Sequence, residues 1–487
     1  MLEWYVAVCL VLLVACAWPA SRYLGSGSQS NTLLRGLGRD ISRRRARDRG
    51  SDRCLSDHNT DAAPADEVDA VALICKPSAL ANYLLQHCVT FCSFSSGSKW
   101  SWRASPFLQT VFGAFWPSES AVHFMRDHLQ MSDDGLVALD WAVAGTGVAC
   151  HRRRRTSSSS TNPVLLIIPN SFGKITRNVL KLCEVALSHG YLPVVFNRRG
   201  QNGTAMGTPR LQQFGDPADL REAVCYIRYR RPAGRLYAVS ESTGSGLLLS
   251  YLGECGSSSY LTAAACLSPV LRCQAWFDSA PRWPYHWALL LYQKICLSRY
   301  RTALGEVIPT DLLFSSSSLR GLEETLFCGA AGGGASWEGY WERNEPLRDV
   351  DEVAVPVLCV CSQDDPIRGE PISTLPLELF HSNPHLFLLL TTRGGHCGFA
   401  TPTDTEAATP WSHRTLLEFF HAATDFCTSE ERAKLAPRHR GLGGGARAPG
   451  GGASRAFRHR SVSTCKKPQA CPHSIHAIYS WQRSYTR

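Results

Sequence analysis

Seven short runs dominated by Val, Ile, Leu, Ala and Cys limit what this chain can fold into. They are Leu136–Trp141, Val164–Ile168, Pro193–Phe196, Leu236–Ser240, Ala263–Leu267, Val357–Cys361 and Leu386–Leu390. A strand with one wet face alternates apolar and polar residues, whereas a run that is apolar throughout must be covered on both faces. Between many of these runs lie segments with helical spacing: 176–190, 216–231, 246–254 and 411–426. The first ends in Gly190, and the second begins on Asp216 with acids in its first turn, both ordinary helix-end signals. This alternation predicts an α/β fold, a mostly parallel sheet with helices on both faces. It is interrupted between Arg272 and Val355, where Trp276, Phe277, Trp283, Tyr285 and Trp287 mark a helical insertion. The expected compact region is 71–428, with the insertion at 272–355.

The charge lies in the flanks. Of the net +10, the segment from Arg432 to the end carries +12 and Arg22–Arg53 carries +6, which leaves −8 on the remainder. A nucleic-acid partner is therefore not expected for the core, while anionic surfaces suit the flanks. Residues 21–70 read as an Arg- and Ser-rich linker, and 429–487, with GLGGG and PGGGAS, as a tail that cannot bury apolar area. RRRRTSSSSTN (152–162) reads as a polar loop.

Trp4–Ala20 is an uncharged, mostly apolar run of 17 residues, at the short limit for a membrane span. Basic residues follow it and none precede it, which by the positive-inside rule predicts an anchor with the core facing the cytosol; the expected membrane is that of the endoplasmic reticulum or lipid droplets. The alternative is a secretory signal cleaved near Ala15-Cys16-Ala17, in which case the sequon at Asn202 becomes relevant. Several of the 20 Cys, including Cys266, Cys359 and Cys361, sit in the apolar runs and read as reduced core thiols. The sequence has no C-x-x-C pair and no H-E-x-x-H, and no metal or cofactor is expected.

The run LYAVS leads into Ser240-Glu241-Ser242-Thr243-Gly244-Ser245-Gly246 and then a helix. A nucleophilic Ser on such a strand-to-helix elbow needs small residues two positions away on each side, here Ser240 and Gly244. The run VLCVCS ends in Gln363-Asp364-Asp365-Pro366, and LFLLLTT in Arg393-Gly394-Gly395-His396. Ser, Asp and His thus each follow an apolar strand, at the edge of a parallel sheet where ligands bind. His396 would take the Ser242 proton and Asp365 would orient the imidazole, with Asp364 as fallback acid. Amides of Thr243 and Ser171 are the candidate oxyanion donors. Each residue also has an ordinary reading: Ser242 as an N-cap, Asp365 as a turn residue before Pro366, His396 as a loop residue between glycines.

These residues, with PFLQT (106–110), DDGLVALDW (133–141), FNRRG (196–200) and GGHCGF (394–399), resemble the AB hydrolase 4 family of α/β-hydrolases, which are acyl-lipid esterases. The resemblance runs from about Val71 to Cys427. It implies an α/β-hydrolase fold with a helical lid and a serine esterase acting on acyl-ester lipids. A nearer resemblance to one member, carried by RLQQFGDPADLREAVCYIRYR, LGECGSSSY, SPVLRC and WQRSYTR, implies a role in regulating lipolysis. It also implies a cyclic-nucleotide phosphodiesterase as a partner. This chain departs from the family pattern in Pro169-Asn170, in Ser240, in Glu241 beside the nucleophile and in β-branched Thr243. Two functions stay open: a serine hydrolase of acyl esters, and a catalytically weak scaffold on the same fold that binds a regulatory partner.

Overall fold

In the computed structural model, which describes residues 71–92, 94, 105–115, 122–144, 161–279, 285–328, 334–400 and 409–435, nine strands make one sheet. They are β1 (Val71–Ile74), β2 (Val122–Gln130), β3 (Leu136–Ala144), β4 (Val164–Ile168), β5 (Leu192–Asn197), β6 (Leu236–Glu241), β7 (Ala263–Leu267), β8 (Val357–Ser362) and β9 (Leu386–Thr391). Their order is β1-β9-β8-β7-β6-β4-β5-β3-β2. The pairings from β5 through β9 are parallel. β4, β6, β7, β8 and β9 are buried at every residue, as strands covered on both faces must be.

Three antiparallel pairings were not expected. β3 runs against β5, β2 against β3, and β1 against β9. β1 has four residues, too few to show a period. β2 carries His123, Arg126, Asp127 and His128 because it is an edge strand, half-buried or exposed along most of its length. Arg126 lies directly opposite Asp140 and grips it with Nε and Nη2, both at 2.6 Å. That pair accounts for an acid within the otherwise apolar β3.

Chain order and strand order place a switch point beside β4. From β4 the chain steps to β5 on one side, and β6 then pairs with the other side of β4. Loops leaving the carboxyl ends of β4 and β6 diverge there and leave a crevice. The helix Arg177–Ser188 after β4 is capped by Thr176, whose hydroxyl accepts the Val179 N–H. The helix Ala218–Arg230 starts two residues later than expected, with Asp216 accepting the Ala218 N–H just ahead of it. Cys266, Cys359 and Cys361 are buried free thiols.

Between β7 and β8 the chain forms the helices Cys273–Ser279, Tyr285–Ser298, Arg301–Leu304, Thr310–Ser315, Leu319–Phe327 and Trp337–Asn344. Ser318 and Ser336 cap the last two by accepting the N–H groups of Gly321 and Gly339. These helices build a core of their own around Trp276, Phe277, Trp337, Tyr340 and Trp341, joined by Phe214. The Phe277 and Trp341 rings lie 5.3 Å apart and those of Phe214 and Trp341 5.4 Å, within the range of favourable aromatic pairs. Trp287 stays outside this core, half exposed.

The chain divides into two compact units, Met1–Phe426 and Cys427–Arg487. The helix Trp411–Leu435 continues past the boundary expected at 428. Its apolar spacing ends near Phe426, but SEERAKL is rich in strong helix formers. Trp4–Ala20, the 21–70 linker, the 152–155 Arg run, Trp283 and residues 436–487 lie outside the described residues. Among the described residues no helix is long and apolar enough to cross a membrane.

Candidate active site

Ser242 stands on the turn between β6 and the helix Ser245–Cys255, with φ at 53°. That left-handed backbone is costly for a residue with a side chain and marks a forced elbow. The elbow packs tightly on the end of β4: a Cβ added to Gly244 would sit 2.2 Å from the Pro169 carbonyl oxygen. Position 240, on the strand side, tolerates a serine, which is fully buried with no hydrogen-bond partner for its hydroxyl among the described residues.

The three residues singled out in the sequence come together. His396 Nδ1 lies 2.8 Å from Asp365 Oδ2, and His396 Nε2 lies 2.6 Å from Ser242 Oγ. A carboxylate only accepts, so Nδ1–H donates to Asp365, and Nε2 is left to accept the Ser242 hydroxyl proton. Asp365 Oδ1 accepts the N–H groups of Ile367 and Arg368, each at 2.9 Å. Burial alone would raise the Asp365 carboxyl. The charge and hydrogen bond of His396, with Arg368 behind, outweigh it and hold the carboxyl below the usual range.

Asp364, the fallback acid, does different work. Its Oδ1 accepts the Gly395 N–H at 2.9 Å, and the Ser362 hydroxyl donates to the Gly395 carbonyl at 2.6 Å. Burial pushes its carboxyl up to about 6. It holds the loop that presents His396. Thr110 Oγ1 accepts the His396 N–H and Ser268 Oγ the Cys397 N–H, each at 2.9 Å. Thr110 and Ser268 lie in PFLQT and SPVLRC, but those motifs gave them no role, because contacts across 286 and 129 residues leave no local pattern.

Of the two candidate oxyanion amides, one has a partner within the protein. The Ser171 amide is already engaged: it donates to Thr243 Oγ1 at 3.0 Å, and the Ser171 hydroxyl donates to the same oxygen at 2.8 Å. The hydroxyl that Thr243 carries folds back onto the loop after β4 and takes the Ser171 amide, one of the two candidate donors. The Thr243 amide itself stands in the first turn of a helical segment, where N–H groups lack intrahelical acceptors.

Glu241 is buried, with its carboxyl held by Thr176. The Thr176 hydroxyl donates to its two oxygens at 3.0 and 2.9 Å, so the carboxyl rests on the cap of the helix Arg177–Ser188. Burial pushes it up to about 7, against the Thr176 hydrogen bond and the nearby His396. Glu241, Ser242 and His396 line a cavity of about 90 Å³ walled by Trp276, Tyr285, Leu289 and Tyr292 of the insertion. Trp276 is fixed there by its indole N–H, which donates to the Ile367 carbonyl at 2.9 Å in the loop that carries Asp365.

A mostly parallel sheet with Ser, Asp and His on loops at its carboxyl edge, and a helical insertion over them, is the α/β-hydrolase fold. No protein-family model matches the chain. It is 52% identical to Protein ABHD15 of Homo sapiens over 416 residues, 85% of each chain. It is 28% identical to Phospholipase ABHD3 of Mus musculus over 333 residues, 67% of this chain and 78% of that one. It is 26% identical to Monoacylglycerol lipase of Saccharomyces cerevisiae over 248 residues, 49% of this chain and 55% of that one. The chain belongs to the abhydrolase domain family of α/β-hydrolases, as its sequence motifs implied.

Proposed function

We propose that the protein is a serine hydrolase acting on acyl esters of lipids. The observation that carries this is the 2.6 and 2.8 Å relay from Ser242 through His396 to Asp365, with Ser242 held at φ 53° against an apolar cavity. Ser242 Oγ attacks the ester carbonyl carbon while its proton passes to His396 Nε2. The imidazolium formed is stabilised by Asp365. The negative oxygen of the tetrahedral intermediate takes the Thr243 amide and, once the Thr243 hydroxyl yields it, the Ser171 amide. Collapse breaks the ester C–O bond, and the alcohol leaves with the proton from His396. Water, deprotonated by His396, then releases the acid and restores Ser242. The insertion serves as lid and acyl wall. The names of the phospholipase and monoacylglycerol lipase relatives support a lipid ester as substrate.

A second reading has its own support. The Ser171 amide is taken by Thr243, and Glu241 sits beside the nucleophile, both of which weaken an oxyanion site. In that reading the fold serves as a scaffold that regulates lipolysis through a partner such as a cyclic-nucleotide phosphodiesterase. In both readings Trp4–Ala20 anchors the chain at a membrane with the sheet domain in the cytosol. A fluorophosphonate probe separates them. Labelling of the wild type that disappears in Ser242→Ala supports the hydrolase, and a wild type inert to the probe while folded supports the scaffold.

A further inference from the structure

Phe172, Lys174 and Tyr292 line the cavity at Ser242 and also a larger one, of about 420 Å³. That size suits a small-molecule group. Much of its wall is apolar, from Phe214, Phe277, Leu297, Leu322 and Phe327. Set into this wall is Arg198, the first residue after β5 and only 5% exposed.

Arg198 is a buried cation that no carboxylate grips: Glu323 and Asp219 act on it through their charge without a hydrogen bond to its Nε or Nη2 among the described residues. Its Nη1 reaches the Phe214 carbonyl at 3.5 Å, while Nε and Nη2 have no hydrogen-bond partner among the described residues. Nε and Nη2 form the guanidinium edge that grips two oxygens at once. Elsewhere in this protein that edge is used so. Arg126 holds Asp140 with it, and the next residue, Arg199, holds Asp219 at 2.7 and 2.6 Å while its Nη1 and Nη2 take Asp133. Two adjacent arginines therefore differ: Arg199 is saturated by two carboxylates, and Arg198 presents its two-oxygen edge unpaired.

The surrounding acids do not fill it. Asp219 is committed to Arg199. Glu323, the one carboxyl lining the cavity among the described residues, accepts the Tyr340 hydroxyl at 2.7 Å, and burial pushes it up to about 7 against the Tyr340 hydrogen bond and the charge of Arg198. Burial draws Arg198 down to about 10, which leaves it charged at neutral pH. Against Glu323 the same cavity is lined by Lys174, Arg198 and Arg299, with Arg199 already neutralised by Asp133 and Asp219. An excess of positive charge suits a phosphate, which carries up to two negative charges, better than a carboxylate.

We propose that this cavity is an anion subsite in which Arg198 takes the phosphate of a phosphate-bearing acyl ester while the ester carbonyl lies at Ser242. The inference rests on the hydrolase reading for the ester and on Arg198 alone for the anion.

The test uses the full chain with two probes of equal acyl length, a lysophosphatidate and the corresponding monoacylglycerol. Wild type is expected to favour the phosphate ester in kcat/KM, and Arg198→Gln to reduce that preference about tenfold or more, mainly through KM. Arg198→Lys, which keeps the charge but not the fork, should recover part of it. A preference unchanged in Arg198→Gln overturns the proposal. Equilibrium binding of the lysophosphatidate to Ser242→Ala reads the subsite without turnover. Binding that persists undiminished when Arg198→Gln is added overturns the subsite. Binding that depends on Arg198 in a chain whose wild type cleaves neither ester upholds the subsite and rejects the hydrolase reading. Inorganic phosphate is the competitor. Weak displacement of the lipid supports a lipid headgroup, and inorganic phosphate that binds at Arg198 where the lysophosphatidate does not overturns the lipid assignment.

Discussion

Thr243 Oγ1 accepts hydrogen bonds from both the amide and the hydroxyl of Ser171, at 3.0 and 2.8 Å. The residue after Ser242 thus occupies the Ser171 amide with its own side chain. In the proposed hydrolase reading, substrate must displace that hydroxyl before the Ser171 amide can face a developing charge. Thr243→Ala removes the competing oxygen. It is expected to raise kcat several-fold on a short-chain ester with little change in KM. It should also cost about 1 kcal/mol of stability, because the Ser171 donors lose their acceptor. A kcat that falls would show that the Thr243 hydroxyl positions the loop instead. Kinetics and a denaturant titration of the same variant measure both quantities.

The two adjacent acids separate by substitution. Asp365→Asn leaves His396 without its orienting carboxylate, and kcat should fall roughly 10³- to 10⁴-fold with the fold intact. Asp364→Asn weakens the bond to the Gly395 amide. It should lower the melting temperature and reduce turnover far less. Equal losses in the two variants would contradict this division of roles.

Glu241 predicts a pH signature. Burial raises its carboxyl to about 7 from an ordinary 4.5, so the folded chain binds more protons than the unfolded chain between those values. Stability therefore falls as pH rises through that window and levels off above it. Glu241→Gln should remove a slope that amounts to an order of 3 kcal/mol across the window. Glu323, also raised to about 7, retains a slope of the same sign in that variant. Above pH 7 the same variant should turn over esters faster than wild type, since a negative charge beside the oxyanion is gone. Urea melts at several pH values and a pH–rate profile check the two halves.

Trp276 belongs both to the core of the insertion and to the wall facing Ser242. Trp276→Ala should therefore cost roughly 3–5 kcal/mol and lower activity together. Trp276→Phe keeps most of the bulk but loses the bond to the Ile367 carbonyl in the Asp365 loop. Its effect should fall on kcat more than on melting temperature. A purely structural tryptophan would show the reverse.

The fully apolar strands were legible in the sequence because burial on both faces leaves no polar residue to confuse the reading. Ser242, Asp365 and His396 were legible because each follows such a strand. β2 was hidden by His123, Arg126 and His128, residues an edge strand can expose. The contact between Thr243 and Ser171 was hidden for another reason. Thr243 reads as a bulky residue in a tight turn, and only the approach of the Ser171 loop shows where its hydroxyl goes. Arg198 was equally silent, since its sequence neighbour Arg199 looks identical and differs only in the carboxylates that reach it.

The antiparallel seam between β1 and β9 has a mechanical consequence. Val71 pairs with Thr391, at the end of β9 from which the chain runs on to His396. Thr391 also ties that run down, its hydroxyl donating to the Arg393 carbonyl at 2.6 Å. Tension applied to the chain ahead of Val71 is delivered at that point first. Pulling there loads the base of the histidine loop before it loads any other part of the sheet.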